Sequence, residues 1–110
     1  MPTIYTFLSE IRQRPGMYVG GDEHDRGGQL RRLQFLLFGY GSAVELHGID
    51  EPGRGFVVAF NDYLRERFGW STSLGPMVAI IDNTPTPADA WSRFWELIDE
   101  FQCDSSSEER

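Results

Sequence analysis

Apolar residues in this chain recur mainly three and four positions apart, which is the period of an amphipathic helix. The first such stripe consists of Ile4, Phe7, Leu8 and Ile11. Thr3 stands at the expected N-cap, and Pro15-Gly16 follows as a stop signal. The pattern therefore predicts a first helix that begins after Thr3 and ends before Pro15.

The most complete helix signal lies near the C-terminus, between Pro85 and Phe101. Thr86 can act as N-cap, Pro87 suits the first helical position, and Asp89 completes a Thr-x-x-Asp capping box. One wide apolar face follows, made of Trp91, Phe94, Trp95, Ile98 and Phe101. We expect this face, including both tryptophans, to pack in the core.

A second long helix is predicted from Gln29 to about His47. Its apolar face consists of Leu30, Leu33, Leu37, Tyr40 and Val44, widened by Leu36 and Phe38. Gly39 and Gly41 each weaken a helix by roughly 1 kcal/mol relative to Ala. They leave open either a close approach by another helix or a break near Gly41-Ser42.

Two further helices are predicted in the second half of the chain. One spans Phe56 to Phe68 and is followed by Gly69 as a C-terminal stop. Its inward residues are expected to be Phe56, Ala59, Phe60, Tyr63 and Leu64. The other is short and begins at Pro76. The runs 57–60 and 77–81 are short and apolar, so a strand remains an alternative for each.

These elements predict a mostly α, compact, single-domain bundle of about five helices over residues 1–102. Met17-Tyr18-Val19 lies between glycine-containing turns and is interpreted as a possible short extended segment. Residues 103–110 are polar and are predicted to form a disordered C-terminal tail.

Charge and composition favour binding over catalysis. The 110 residues include eight Phe, four Tyr and three Trp, and the net charge is −7, with no lysine. Aromatic residues build cores and also enrich binding surfaces. An acidic surface attracts basic partners and repels phosphates, so a nucleic-acid partner is not expected. Cys103 is the only cysteine, which is typical of a reducing cytoplasm. No apolar run is long enough to cross a membrane.

No combination of residues predicts a reaction, a metal site or a cofactor. His24 and His47 are isolated, and no serine lies in a nucleophile-elbow sequence. The segment from Arg14 to Gly20 resembles a short motif near the nucleotide pocket of the DNA gyrase B subunit. The helix that would supply the metal-holding Glu and Asn of that ATPase has no counterpart between Gln29 and His47. We interpret the match as coincidental, or as a similar helix stop.

A longer resemblance covers most of the chain. Its motifs are Tyr-x-Phe-Leu-x-x-Ile-Arg-x-Arg-Pro-x-Met-Tyr-Val-Gly at residues 5–20, Phe-Asn-Asp-Tyr-Leu at 60–64 and Trp-Glu-Leu-Ile-Asp-Glu-Phe at 95–101. Together they resemble small bacterial proteins of unassigned function, some of which are similar to immunity proteins encoded beside toxins. The resemblance implies a helical fold and a role in neutralising a toxin.

Our hypothesis is a non-enzymatic, acidic, cytoplasmic module that binds a protein, such as an immunity-type inhibitor of a basic toxin. A regulatory or adaptor homodimer is the alternative, and monomer or homodimer stays open. A small enzyme using Arg32, Tyr40 or carboxylates is a third. The predicted partner-binding residues combine carboxylates with one aromatic: Asp62, Glu66, Trp70, Glu96, Asp99 and Glu100.

Overall fold

Six α-helices and one 3₁₀ turn make up the computed structural model, which describes residues 2–108 and their side chains as far as Asp104. The helices are α1 (Ile4–Gln13), α2 (Pro15–Val19), α3 (Arg26–Leu46), α4 (Phe56–Phe68), α5 (Pro76–Asp82) and α6 (Pro87–Glu108), with the 3₁₀ turn at Glu23–Asp25. None of the described residues forms a strand. The mostly α prediction is confirmed, and the runs 57–60 and 77–81 are both helical.

Helix α1 begins and ends where the sequence predicts. The Thr3 hydroxyl accepts a hydrogen bond from the Tyr5 amide at 3.2 Å, and the Thr3 amide donates to the Thr6 hydroxyl at 3.2 Å. This reciprocal pair satisfies two amides that a helix start leaves unpaired. Ile4, Leu8 and Ile11 are buried.

The extended segment predicted near residues 17–19 is wrong, because Pro15–Val19 form the short helix α2. Proline at the first helical position presets the backbone, and Gly20 ends the helix with φ of 64°. Side chains of α3 hold this end: Gln29 Nε2 donates to the Gly20 carbonyl at 2.8 Å, and Arg32 Nε donates to the Val19 carbonyl.

The two longest helices, α3 and α6, pack against each other in the centre. Helix α3 runs unbroken through Gly41-Ser42, so the alternative of a break there does not occur. The largest fully buried side chains come from five helices: Ile4, Leu8, Ile11, Leu30, Leu33, Leu37, Phe60, Leu64, Met77, Ile80, Phe94 and Leu97. The radius of gyration of 13.5 Å is close to the value of about 13 Å that a compact chain of this length would have.

Helix α4 has the predicted bounds, and Gly69 caps its C-terminus in the left-handed region with φ of 71°. Phe56, Phe60 and Leu64 are buried as expected. Ala59 was expected inside and is exposed, because it lies on the face of α4 that no other helix covers.

Buried Gln34 joins α3 to the start of α5. Its Oε1 accepts from the Met77 amide at 3.0 Å, and its Nε2 donates to the Leu74 carbonyl at 3.0 Å. Both polar ends of this buried amide are therefore satisfied. Gly75 packs against it, since a Cβ there would lie 2.3 Å from Gln34 Oε1.

Helix α6 starts as predicted, with the Thr86 hydroxyl accepting from the Asp89 amide at 3.1 Å. It continues past residue 102 as far as Glu108, beyond the end that the sequence indicated. The tail predicted over 103–110 lies partly outside the described residues, and its disorder stays a prediction. Neither long helix, nor any other helix within residues 2–108, has the length and apolar content needed to cross a bilayer.

Candidate functional site: an apolar groove between α3 and α4

An open groove of about 520 Å³ lies between α3 and α4. Buried Leu37 and Phe56 contribute to its base. Exposed apolar side chains stand along it: Phe38 and Leu46 from α3, and Val58 from α4. Apolar surface that remains open in a folded protein is often a binding surface when it is contiguous.

The apolar edge of α3 extends beyond the groove itself. Phe35, Phe38, Ser42 and Leu46 are spaced three, four and four residues apart, so they form one stripe along the helix. Phe35 is 71% exposed and Leu46 is 82% exposed. The stripe runs from residue 35 to residue 46, and these eleven steps correspond to about 16 Å along a helix axis.

Small residues leave room in the groove. Gly41, Ser42, Gly53 and Gly55 all contribute to its lining and carry little or no side chain. At Gly53 the reason is steric: an added Cβ would lie 2.3 Å from Glu51 Oε1 and 2.4 Å from Tyr40 Cε1. The glycine therefore allows the 50–55 loop to pack closely on α3.

The 50–55 loop is fixed to the rest of the fold by Glu51. Its Oε2 accepts a hydrogen bond from the Ile4 amide, the first residue of α1, at 3.1 Å. Tyr40 stacks on Phe7 with ring centroids 5.5 Å apart. Burial raises the pKa of Tyr40 above its ordinary value, and the neighbouring Glu51 carboxylate raises it further. These contacts indicate a preformed groove wall.

The groove continues into a more polar recess of about 360 Å³. The two share Val58 and Asn61. Arg65 and three consecutive residues with hydroxyl groups complete the lining: Ser71, Thr72 and Ser73. The hydroxyls of Ser71 and Ser73 lie 3.2 Å apart. The concave surface is therefore apolar in one part and rich in hydrogen-bonding groups in the other.

Ion pairs already engage three of the predicted carboxylates on α6. Both carboxylate oxygens of Asp99 lie 3.2 Å from Arg12 Nη1 on α1. Glu100 lies 3.3 Å from both Arg67 Nη2 and the Tyr63 hydroxyl on α4. Glu96 pairs with Arg93 of its own helix at 3.3 Å, since the two residues are one helical turn apart. The three carboxylates therefore do not form one free acidic surface.

Neither predicted carboxylate of α4 is among the described residues that line the groove or the polar recess. Asp62 pairs with Arg65, which contributes to the polar recess. Glu66 is exposed and has no ion pair among the described residues. Trp70 is half-buried, because its ring stacks on Phe68 with centroids 4.4 Å apart.

Trp91 and Trp95 are 9% and 4% exposed, which confirms that they pack in the core. Arginine side chains lie over both rings. The guanidinium of Arg26 is 4.6 Å from the Trp91 ring centroid, and that of Arg12 is 5.5 Å from the Trp95 ring centroid. Such contacts combine cation–π attraction with coverage of apolar surface.

The residues considered for an enzyme make structural contacts. Arg32 Nη2 lies 2.7 Å from Asp25 Oδ2, while its Nε holds the end of α2. Tyr40 packs between Phe7 and Glu51. In the part of the chain that the structure describes, no three His, Cys, Asp or Glu side chains converge where a metal ion could be held.

The sequence pattern does not predict the groove, because Phe38 fits the widened core face of α3 and Val58 carries no signal for an exposed site. One signal was present: apolar residues occur on every side of α3 between residues 33 and 38. A single layer of neighbouring helices cannot cover all of them, so some had to remain exposed.

Comparisons with known proteins add no identification: no protein-family model, curated protein or solved structure matches this chain.

Proposed function

We propose that this protein is a non-enzymatic, acidic protein-binding module, and that it acts as an immunity-type inhibitor of a basic partner such as a bacterial toxin. The carrying observation is the open apolar groove between α3 and α4 on a chain with net charge −7. The charge steers a basic partner toward the protein, while the apolar groove supplies contact area on arrival. Cys103, exposed and free, supports a reducing cytoplasm as its location.

The groove, more than the acidic residues of α6, supplies the contact surface in this proposal. Asp99 already pairs with Arg12 of α1, and Glu100 already pairs with Arg67 of α4. A partner's cation would have to displace these arginines, which reduces the gain from each contact. Asp62 and Glu66 lie on α4, which forms one wall of the groove, and their role as partner contacts stays a prediction.

A regulatory or adaptor homodimer is the second candidate. The observation in its favour is the stripe of exposed apolar side chains on α3, which two copies could cover together. The dependence of association on salt concentration distinguishes the two candidate functions. Added salt weakens attraction between an acidic protein and a basic one, whereas it relieves repulsion between two copies that each carry −7.

The experiment is a retention assay with the full chain as bait, followed by a growth assay. Lysate of the producing cell is applied at about 0.1 M and at about 1 M salt, where the Debye length falls from about 10 Å to about 3 Å. We expect one basic protein to be retained at low salt and released at high salt. Expressed alone, that protein should arrest growth, and co-expression of this chain should restore it. Salt-independent retention, or no rescue, contradicts the proposal.

Two matched triple variants test where the charge acts. The first neutralises the α6 carboxylates by Glu96→Gln, Asp99→Asn and Glu100→Gln. The second removes the same charge at sites without an arginine partner among the described residues: Glu10→Gln, Glu23→Gln and Asp82→Asn. Equal slowing of association in both indicates steering by net charge. Slowing by the first alone indicates direct contact with α6.

A further inference from the structure

The shape of the α3–α4 groove restricts what can occupy it. Its lining is concave and mostly apolar, and at Gly41, Gly53 and Gly55 no side chain projects into it. A symmetric dimer through this face would place one groove against another, since a two-fold interface pairs a surface with itself. Two concave surfaces leave an unfilled space between them. The occupant that fills the groove is therefore convex.

A single helix has the required form. Amphipathic helices bind in grooves through apolar side chains at positions i, i+3 or i+4, and i+7. The α3 stripe from Phe35 to Leu46 runs for about 16 Å, which matches three turns of an occupying helix. Three turns present three or four such anchors on one face. Ser71, Thr72 and Ser73 in the adjoining recess offer hydrogen bonds to the unpaired backbone groups at the end of that helix.

The charges beside the groove indicate the polar face of the occupant. Glu45 pairs with Arg54 at 2.8 Å at one end, and Asp62 pairs with Arg65 toward the other. These pairs leave the groove locally balanced, while the protein as a whole carries a net charge of −7. Lysine or arginine on the exposed face of a bound helix complements that field, and aspartate or glutamate opposes it.

We propose that the α3–α4 groove binds an amphipathic helix with a basic outer face, contributed by the partner protein. This inference rests on the proposed function and gives its partner a structural form. The apolar face of the helix covers Phe38, Leu46 and Val58. Its basic face remains toward solvent.

The probe is a fluorescent helical peptide of about 15 residues, with leucine at the i, i+3, i+4 and i+7 positions and lysine elsewhere. The matched peptide replaces every lysine with glutamate. We expect the lysine peptide to bind at least about tenfold more tightly by fluorescence anisotropy. Its binding should shift the amide resonances of α3 and α4 in the full chain.

Three variants locate the binding. Phe38→Ser removes an anchor contact, and Ser42→Phe fills the groove from within, so each should weaken the lysine peptide about tenfold. Met17→Ser is the control, because Met17 is 73% exposed on α2 and does not contribute to the groove. It should bind as the wild type does. Thermal melting followed by circular dichroism checks that all three variants fold. If Phe38→Ser does not fold, Ser42→Phe still tests the groove.

Four outcomes would overturn the groove proposal. Equal binding of the two peptides excludes a basic preference, and unchanged binding by Phe38→Ser and Ser42→Phe moves the contact elsewhere. A wild-type dimer in light scattering that Phe38→Ser dissociates makes a second copy the occupant. If the lysine peptide does not bind, a basic helix is excluded as the occupant of the groove. None of these contradicts retention and rescue by a basic partner, so the proposed function is decided separately.

Discussion

Two surfaces of this protein differ in how far their aromatic and charged side chains are covered by neighbours. Where α1 meets α6, Arg12 covers the Trp95 ring and pairs with Asp99, so ring and carboxylate are both engaged within the chain. Where α3 meets α4, Phe38 and Val58 stay exposed beside an open groove. Asp99, which the sequence predicts to contact a partner, is thus already paired within the chain. Phe38, which the sequence predicts to lie in the core, is instead exposed. The comparison teaches that availability depends on neighbours from other helices.

Arginine accounts for much of this difference. Its planar guanidinium can lie on an aromatic ring while its N–H groups pair with a carboxylate. Arg12 does both beside α6, and Arg67 pairs with Glu100 while lying 5.6 Å from the Tyr63 ring centroid. Beside the groove, Arg54 and Arg65 pair with Glu45 and Asp62, and the apolar part between them stays uncovered.

The largest effect should come from breaking the covered surface. Trp95→Ala should lower the free energy of unfolding by about 3–5 kcal/mol, because a 4% exposed indole leaves a cavity when removed. Phe35→Ala on the open surface should change it by no more than about 0.5 kcal/mol, since its ring is 71% exposed. Urea denaturation followed by circular dichroism measures both. A comparable loss in the two variants would erase the distinction between the surfaces.

A smaller effect sharpens the comparison at the groove wall. Gly53→Ala should lower the free energy of unfolding by about 1–3 kcal/mol, because the new Cβ would collide with the Tyr40 ring and the Glu51 carboxylate. Gly39→Ala is the matched control on α3, where an added Cβ meets nothing within 4 Å. It should raise stability by about 0.5–1 kcal/mol through helix propensity.

Denaturation of these two glycine variants tests whether the wall is preformed. Opposite signs for the two changes support a loop packed tightly on α3. A Gly53→Ala protein as stable as the wild type would mean that the 50–55 loop shifts freely. The groove would then lack a fixed end at Gly53, and its volume would depend on what binds.

The local elements were predictable because their signals lie within a few residues. Thr3 and Thr86 cap their helices through hydroxyls that reach amides two or three residues away. Gly69 ends α4 for an equally local reason. The structure of α2 was not predictable in this way, since Gln29 and Arg32 hold its end from another helix.

The candidate site depends on distances that a sequence pattern does not contain. The spacing along the chain shows only that three carboxylates lie on the solvent-exposed side of one helix: Glu96, Asp99 and Glu100. Whether each is free depends on arginines that can lie 87 residues away, as Arg12 does from Asp99. The groove depends likewise on which face of α3 its neighbours leave uncovered.

The smallest effect concerns the ion pair that joins α1 to α6. Asp99→Asn should lower the free energy of unfolding by at most about 1 kcal/mol, because both partners are about half exposed to water. The loss should shrink as salt rises from about 0.1 M to about 1 M. Glu66→Gln, which breaks no ion pair among the described residues, serves as the control and should leave stability unchanged. A loss as large as that of Trp95→Ala would contradict the ranking of ring burial over the ion pair, and a loss that does not change with salt would exclude screened charge attraction as its cause.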